Sequence, residues 1–484
     1  MNLRQRYVRG VAWTTVSNFG QQALNVVVVM VLTRLLAPDA FGLVALAMAV
    51  MAILEVFRES GFNDSLIQKA DLRQEHLDTI FTVSLGIGVA ITVVVAATSG
   101  LIAAAFGEPE LADVIWALAA LPTLASLNAT KNAMLRKEMR FELITLVAFV
   151  STASTAALAV VLALMNYGVW SLVAKALAGP VVAFLCYRFI RVSSAHIGFS
   201  RQAFRELSTV SFYVLGTNLL NIVSRRADDL IVGGFLGTTA LGYYSIAYNL
   251  LLSLTRILIR TINGVTLPVF SKLQADPIKL GNAFRRIVTT TTIVTIPTFA
   301  WCSLNAHDVI RVLYGPDWSP SGDVFRILAL VGMLHSVTFF QSSVLLGAGK
   351  VRWRLALNTG TSLMNATGFL IGVQFGLVGV ACGALVATAI ALPIGMSLVL
   401  RVISLDRRET IESLMRTAAA VMLMVGAVQL YRSFTLGSLD PGLQLLTNGL
   451  LAALAYGLFT IVLAPKNLQE LRGTVAAVMP NKGA

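Results

Sequence analysis

Residues 36–42 read Leu36-Ala37-Pro38-Asp39-Ala40-Phe41-Gly42, and at an offset of 200 the chain reads Leu236-Gly237-Thr238-Thr239-Ala240-Leu241-Gly242. The same offset pairs Asn18 with Asn218 and Asn63 with Asn263. Further along, Arg140-Phe141 matches Arg352-Trp353 at an offset of 212, and Tyr167-Gly168-Val169 with Ala176-Leu177 matches Phe375-Gly376-Leu377 with Ala384-Leu385 at 208. Each block is short, but their order and near-constant offset predict an internal duplication. The offset widens where the connection 305–323 stands in place of the much shorter 106–110.

What is duplicated follows from composition. Of 484 residues, 56% are hydrophobic before 37 glycines are counted, and only 13% are charged, about half the share of a soluble chain. That much apolar surface cannot be buried in one or two water-soluble cores, so most of the chain has lipid as its solvent. Fourteen apolar runs long enough to cross a bilayer follow one another from 11–33 to 443–464. Each repeat holds six of them, an even number, so both enter the membrane from the same side. The expected fold is an all-α polytopic membrane protein of about fourteen transmembrane helices. Two six-helix lobes would be related by a pseudo-two-fold along the membrane normal, with two additional C-terminal helices. The divisions are an N-terminal lobe 1–192, a cytoplasmic inter-lobe linker 193–207, a C-terminal lobe 208–401, and helices 13 and 14 with a cytoplasmic tail over 402–484.

A net charge of +13 in a soluble protein would suggest nucleic acid. Placed along the chain, 28 of the 37 basic residues fall on alternate connections and only Arg34, Arg311 and Arg432 on the intervening ones. This positive-inside pattern puts both termini in the cytoplasm and removes the nucleic-acid reading. Trp13 and Trp353 fall at predicted inner boundaries, and Trp116, Trp170, Trp301 and Trp318 at outer ones. Cys186, Cys302 and Cys382 lie far apart in apolar runs and read as small buried hydrophobes. The basic N-terminus lacks a small-x-small cleavage site, so the first helix is expected to be retained.

Six basic residues remain at membrane depth: Lys175, Arg225, Arg226, Arg256, Arg260 and Arg326. Each costs at least ~2.5 kcal/mol there, so a cavity or a partner is required. The seventh run spaces Asn218, Asn221, Arg225 and Asp228 on one helical face, with Arg226 and Asp229 beside them. The first run, its repeat counterpart, carries Asn18, Gln21, Gln22 and Asn25. Arg225 and Arg226 either neutralise Asp228 and Asp229 through i,i+3 and i,i+4 pairs or serve an anionic substrate. Arg256 and Arg260, four apart, share a face and either snorkel to headgroups or face a cavity, and the same choice holds for Lys175. Glu55, Arg58 and Glu59 close the second run as an ion-paired gate.

No enzyme signature is present: Gly347-Ala348-Gly349-Lys350 lacks the first glycine and final hydroxyl of a phosphate loop, and His76, His196, His307 and His335 have no metal spacing.

These features resemble the oligosaccharide-lipid flippases, the Wzx-type members of the multidrug/oligosaccharidyl-lipid/polysaccharide exporter superfamily. The resemblance is carried by Arg34 to Gly42, by Asp229-Leu230-Ile231-Val232-Gly233-Gly234-Phe235-Leu236-Gly237 and by Leu241-Gly242-Tyr243-Tyr244. Glu59-Ser60-Gly61-Phe62 with Leu77-Asp78-Thr79-Ile80-Phe81 is similar to the colanic, teichuronic and succinoglycan export branch. It implies a lipid-linked glycan substrate, an oligosaccharide repeat unit on undecaprenyl pyrophosphate moved to the periplasmic leaflet by alternating access, for exopolysaccharide or lipopolysaccharide synthesis. It also implies a cavity lined by helices 1, 2, 7 and 8. On that expectation Arg225, Arg226, Arg256, Arg260 and Lys175 hold the pyrophosphate. Asn18, Gln21, Gln22, Asn25, Asn218 and Asn221 meet sugars, and Asp228, Asp229, Glu55, Arg58 and Glu59 gate the path or couple it to protons or sodium. No other cofactor is expected. Partners would be membrane lipids, a polysaccharide polymerase and export machinery, with no nucleic acid. Two alternatives remain, a cation-coupled drug exporter of the same superfamily and a membrane glycan polymerase or ligase.

Overall fold

A computed structural model describes residues 20–468, except 59–64, 68, 70, 192–194, 261–265, 267–268, 406, 436–439 and 466. Within helices it leaves out the side chains of 207–221, 223–224, 260, 407 and 435. The described residues contain helices and no strand. In chain order these are α1 Gly20–Leu32, α2 Pro38–Arg58, α3 Gln74–Phe106, α4 Glu110–Leu118, α5 Leu121–Lys137, α6 Phe141–Leu164, α7 Val169–Phe189 and α8 Arg201–Thr255. There follow a π-helical turn Arg256–Arg260, α9 Pro277–Leu304, α10 Ala306–Tyr314, α11 Ser319–Gly347, α12 Val351–Gly372, α13 Gly376–Leu400, α14 Arg407–Thr435 and α15 Pro441–Leu463.

Local chemistry sets several of the boundaries. Asp276 and Asp440 each precede a proline that opens a helix. The Asp276 carboxylate accepts from the backbone N–H of Ile278 (3.1 Å) and Lys279 (3.0 Å), and that of Asp440 from Gly442 (3.0 Å). The caps satisfy N–H groups that have no intrahelical acceptor, and proline needs none. Eleven described stretches are long and apolar enough to span a bilayer, against the fourteen expected. The segmentation accounts for part of the difference: Val351–Leu400 contains both α12 and α13, and Arg225–Ile259 is interrupted at Gly237. The first run is described only as the shorter Gly20–Leu32.

By compactness the chain forms two units, Met1–Ser245 and Ile246–Ala484. The sequence repeat instead places a link at 193–207, because internal similarity and packing density are different properties. In the first unit α3 packs on α4 and α5, α6 on α7, and α2 on α4 and α7. Val28, Leu32 and Leu36 join Ala156, Ala159 and Ala163 of α6 in one apolar cluster. In the second unit α11 packs on α9 and α13, α12 pairs with α13, and α14 and α15 lie against one another and α9. Arg432, expected on an outer connection, ties α14 to the end of α9 and to α10. Its guanidinium donates to Asp308 (3.1 Å) and to the Leu304 carbonyl (2.9 Å). Trp318, expected in the headgroup zone, is fully buried under the turn that precedes α11, whereas Trp116 and Trp170 are exposed. Cys382, expected to be buried, is exposed on α13.

The two blocks that revealed the repeat touch each other. A Cβ placed on Gly42 would lie 1.7 Å from the Thr238 carbonyl oxygen, and one on Gly242 would lie 2.0 Å from that of Pro38. Pro38 and Thr238 are repeat partners, as are Gly42 and Gly242, so the contact is reciprocal in the manner a two-fold axis requires. Glu108 reinforces it by accepting from the Thr238 N–H (3.2 Å) and hydroxyl (3.0 Å). The third pair of blocks agrees. Gly168 and Gly376 stand at the starts of α7 and α13 with φ of 55° and 76°, a region that side-chain-bearing residues avoid.

The stretch leading into α8 is held against the start of α3. The Asp78 carboxylate accepts from the His196 N–H (2.8 Å), the Thr79 hydroxyl from the Ser200 N–H (3.0 Å), and Thr82 exchanges hydrogen bonds with Gly198 at 2.9 Å. Asp78 and Thr79 belong to the block that marks the family branch. Glu206 completes the attachment, accepting from Lys69, from Gln202 (3.2 Å), and from buried His76 (3.1 Å). Because His76 Nδ1 accepts from the Arg73 N–H (3.0 Å), Nε2 carries the proton toward Glu206. Lys69 first, then His76 and Gln202, hold the Glu206 carboxyl down at about 2 from its ordinary 4.5. A lowered carboxyl stabilises the fold above its ordinary value, and the contribution is lost as pH falls toward the folded one. Hydrogen exchange over 195–206 should therefore rise in Glu206→Gln at neutral pH, and in the unaltered chain only below about 4.5. Equal protection in both proteins at neutral pH would show that Glu206 does not hold the linker.

Candidate functional site

The polar run on α8 resolves into one paired and one unpaired arginine. Arg226 donates to Asp229 at 2.9 Å across one helical turn, the i,i+3 arrangement. Asp228 and Asp229 are 2% and 6% exposed. Asp228 accepts from the Asp229 N–H (3.0 Å) and from the Tyr244 hydroxyl (3.1 Å). Sixteen residues of unbroken helix would separate Asp228 from Tyr244 by about 24 Å. Their contact requires the chain to fold back, and it does so at Gly237, where φ is 83°. Both acids are thus satisfied within the first unit, and Arg225 is left exposed, with no hydrogen bond or ion pair among the described residues.

The remaining candidates are distributed as follows. Gln21, Gln22 and Asn25 are half-buried on α1, and Asn18 and Glu59 lie outside the described residues. Asn218 and Asn221 are on α8, their side chains outside the described residues. Arg58 is buried at the end of α2 and pairs with Glu55. Lys175 is half-buried on α7 with no partner among the described residues. Arg256 belongs to the second unit, exposed at the opening of the π-helical turn, and the side chain of Arg260 is outside the described residues. Such turns interrupt α-helices, frequently at functional sites. No group of metal-binding side chains occurs among the described residues.

Sequence reasoning passed over Tyr244 and Glu108. Both were visible only as letters in or near the repeated blocks, and their roles depend on the fold-back at Gly237.

Residues 31–323 match the family described as polysaccharide biosynthesis protein. The chain belongs to this family. Among members of known naming, the succinoglycan biosynthesis transport protein ExoT of Rhizobium meliloti is 25% identical over 66% of this chain and 65% of its own length. The lipopolysaccharide biosynthesis protein WzxC of Escherichia coli is 23% identical over 81% and 80%. The teichuronic acid biosynthesis protein TuaB of Bacillus subtilis is 23% identical over 96% of each chain. The chain also shares its fold with the lipid II flippase MurJ in an inward closed conformation, at a TM-score of 0.78 and 15% identity over 94% of this chain and 99% of that one. An inward-facing multidrug transporter of the MATE family gives 0.61 and 18% over 79% and 95%.

Proposed function

We propose that this chain flips undecaprenyl-pyrophosphate-linked oligosaccharide repeat units from the cytoplasmic to the periplasmic leaflet of a bacterial inner membrane, by alternating access, for exopolysaccharide or lipopolysaccharide synthesis. The observation that carries the reading is Arg225: an exposed guanidinium, without an acid partner among the described residues, on a helix of a chain otherwise this apolar. Family membership and relatives named for succinoglycan, lipopolysaccharide and teichuronic acid biosynthesis support a glycan carried on lipid. A guanidinium remains charged when desolvated and matches phosphate oxygens two at a time, so Arg225 is the lead contact for the pyrophosphate. Lys175, Arg256 and Arg260 add positive potential, while Arg226 is committed in part to Asp229. The amides of α1 and α8 meet sugar hydroxyls. Asp228 and Asp229 couple the cycle to protons or sodium, and Glu55, Arg58 and Glu59 gate it. A polysaccharide polymerase receives the product, and both termini face the cytoplasm.

The test is deletion of the gene with lipid-linked repeat units followed by leaflet. The expected outcome is their accumulation on the cytoplasmic side, inaccessible to a glycosidase or label added from outside in spheroplasts. Undiminished outward exposure would overturn the reading.

A further inference from the structure

A cavity of about 640 Å³ opens within the first unit where α2, α5, α6 and α7 end or begin together. Its polar wall is built at one level. Arg58 is the last residue of α2, Arg136 lies in the last turn of α5, and Tyr187 lies in the last turn of α7. No carboxylate lines the cavity among the described residues. Arg136 Nε donates to Asn132 Oδ1 (2.8 Å), and Asn132 Nδ2 donates to the Tyr187 hydroxyl oxygen (2.9 Å). This chain aligns the two side chains but leaves the other guanidinium nitrogens of Arg136 and the Tyr187 hydroxyl proton with no acceptor among the described residues. Tyr187 is only 5% exposed. On the same wall Asn128 Nδ2 donates to the Pro180 carbonyl (2.8 Å), but its buried Oδ1 accepts from nothing. Arg136 is exposed, whereas Tyr187 is buried, so the Tyr187 hydroxyl proton and Asn128 Oδ1 are the groups of this wall that a ligand would satisfy, since buried polar atoms of native proteins find partners. Ile144 and Val147 at the start of α6 make the cavity apolar away from that wall.

We infer that this cavity binds one anionic glycerophospholipid of the phosphatidylglycerol class. Its phosphate accepts from Tyr187 and Arg136, and a headgroup hydroxyl donates to Asn128 Oδ1. The acyl chain starts along Ile144 and Val147. Basic pockets between transmembrane helices recognise headgroups in this way, since charge-assisted bonds are strong where water is scarce. The need for both an anion and a nearby hydroxyl donor excludes phosphatidylcholine, which has no donor. The volume suits a phosphoglycerol headgroup with the first part of a chain better than a pyrophosphate bearing several sugars. The site uses neither Arg225 nor any residue of α8, although Arg58 of the proposed gate also lines the cavity.

The experiment is native mass spectrometry of the full chain, purified and delipidated, then offered phosphatidylglycerol or phosphatidylcholine. One phosphatidylglycerol per chain should be retained with a preference of about tenfold over phosphatidylcholine, and Tyr187→Phe and Arg136→Gln should each lower the retention of phosphatidylglycerol about tenfold, the worth of one charge-assisted hydrogen bond to its phosphate. Tyr187→Phe changes a single oxygen, and an unaltered elution profile and thermal unfolding in phosphatidylcholine establish that the variant is folded. Equal retention of the two lipids overturns the inference, as does undiminished retention of phosphatidylglycerol by folded Tyr187→Phe. Displacement of phosphatidylglycerol by undecaprenyl pyrophosphate, mole for mole, overturns it too, by assigning the cavity to the transported lipid.

Discussion

Arg225→Ala is expected to lower transport about tenfold or more while leaving the amount of folded protein unchanged, because a hydrogen bond to a charged group contributes about 1.5–3 kcal/mol and each 1.4 kcal/mol is a factor of about ten. The readout is polymer recovered when the variant complements a deletion strain, set against protein in the membrane fraction. Arg225→Lys should recover part of the loss, since an ammonium keeps the charge but cannot contact two phosphate oxygens in a plane. Arg226→Ala provides the contrast. Its partner Asp229 is 6% exposed, so truncation leaves a buried carboxylate without its cation, a change that costs about 3–5 kcal/mol. That variant should lose protein from the membrane, and Arg225→Ala should not. Wild-type polymer yield from Arg225→Ala would remove the residue from the substrate path.

Gly242→Ala should be among the most damaging single-methyl changes in the chain. The added carbon would sit 2.0 Å from the Pro38 carbonyl oxygen, and a backbone atom cannot rotate aside as a side chain can. Overpacking of this kind costs about 1–3 kcal/mol in ordinary cores and more where backbone must shift. Gly42→Ala meets the Thr238 carbonyl oxygen at 1.7 Å and should behave alike. The symmetry of the contact makes a sharper statement than either variant alone. The two substitutions should depress the thermal midpoint by similar amounts, and together by less than their sum, because the first already separates the surfaces that the second would separate. Gly20→Ala, where nothing lies within 4 Å of the added carbon, is the control. Strict additivity would mean that the two clashes are relieved independently.

The fold was largely legible because its two strongest signals are long and redundant: apolar runs set by bilayer thickness, and basic residues that alternate between connections. The repeat added the correspondence of Gly42 with Gly242 and of Gly168 with Gly376. What could not be read were the features that depend on where the backbone breaks. Gly237 looked like one letter of a repeated block, yet its positive φ is what returns Tyr244 to Asp228. The wider turn at Arg256 carries no local composition that would distinguish it from helix. Trp318 shows the same limit from the other direction: its burial depends on α10 and α11 folding over it. At the candidate site, the spacing offered Arg225–Asp228 and Arg226–Asp229 alike as i,i+3 pairs, and only the second forms, Asp228 accepting from Tyr244 instead. The fate of Arg225 could not be read, since a partner could have come from any element.

The mutual seating of Pro38 against Gly242 and Thr238 against Gly42 bears on how such a chain could arise. Two separate copies of a six-helix ancestor could make this same contact twice across a dimer axis, each lending its corner to the other. Fusion of the genes would then have changed neither surface. It would have released each half from having to be identical to its mate, everywhere except at the corner where they still meet. Divergence could therefore place on one half only a cation without a partner among the described residues, as at Arg225, whose counterpart at the offset of 200 is Asn25. A symmetric dimer would have carried either two such arginines or none.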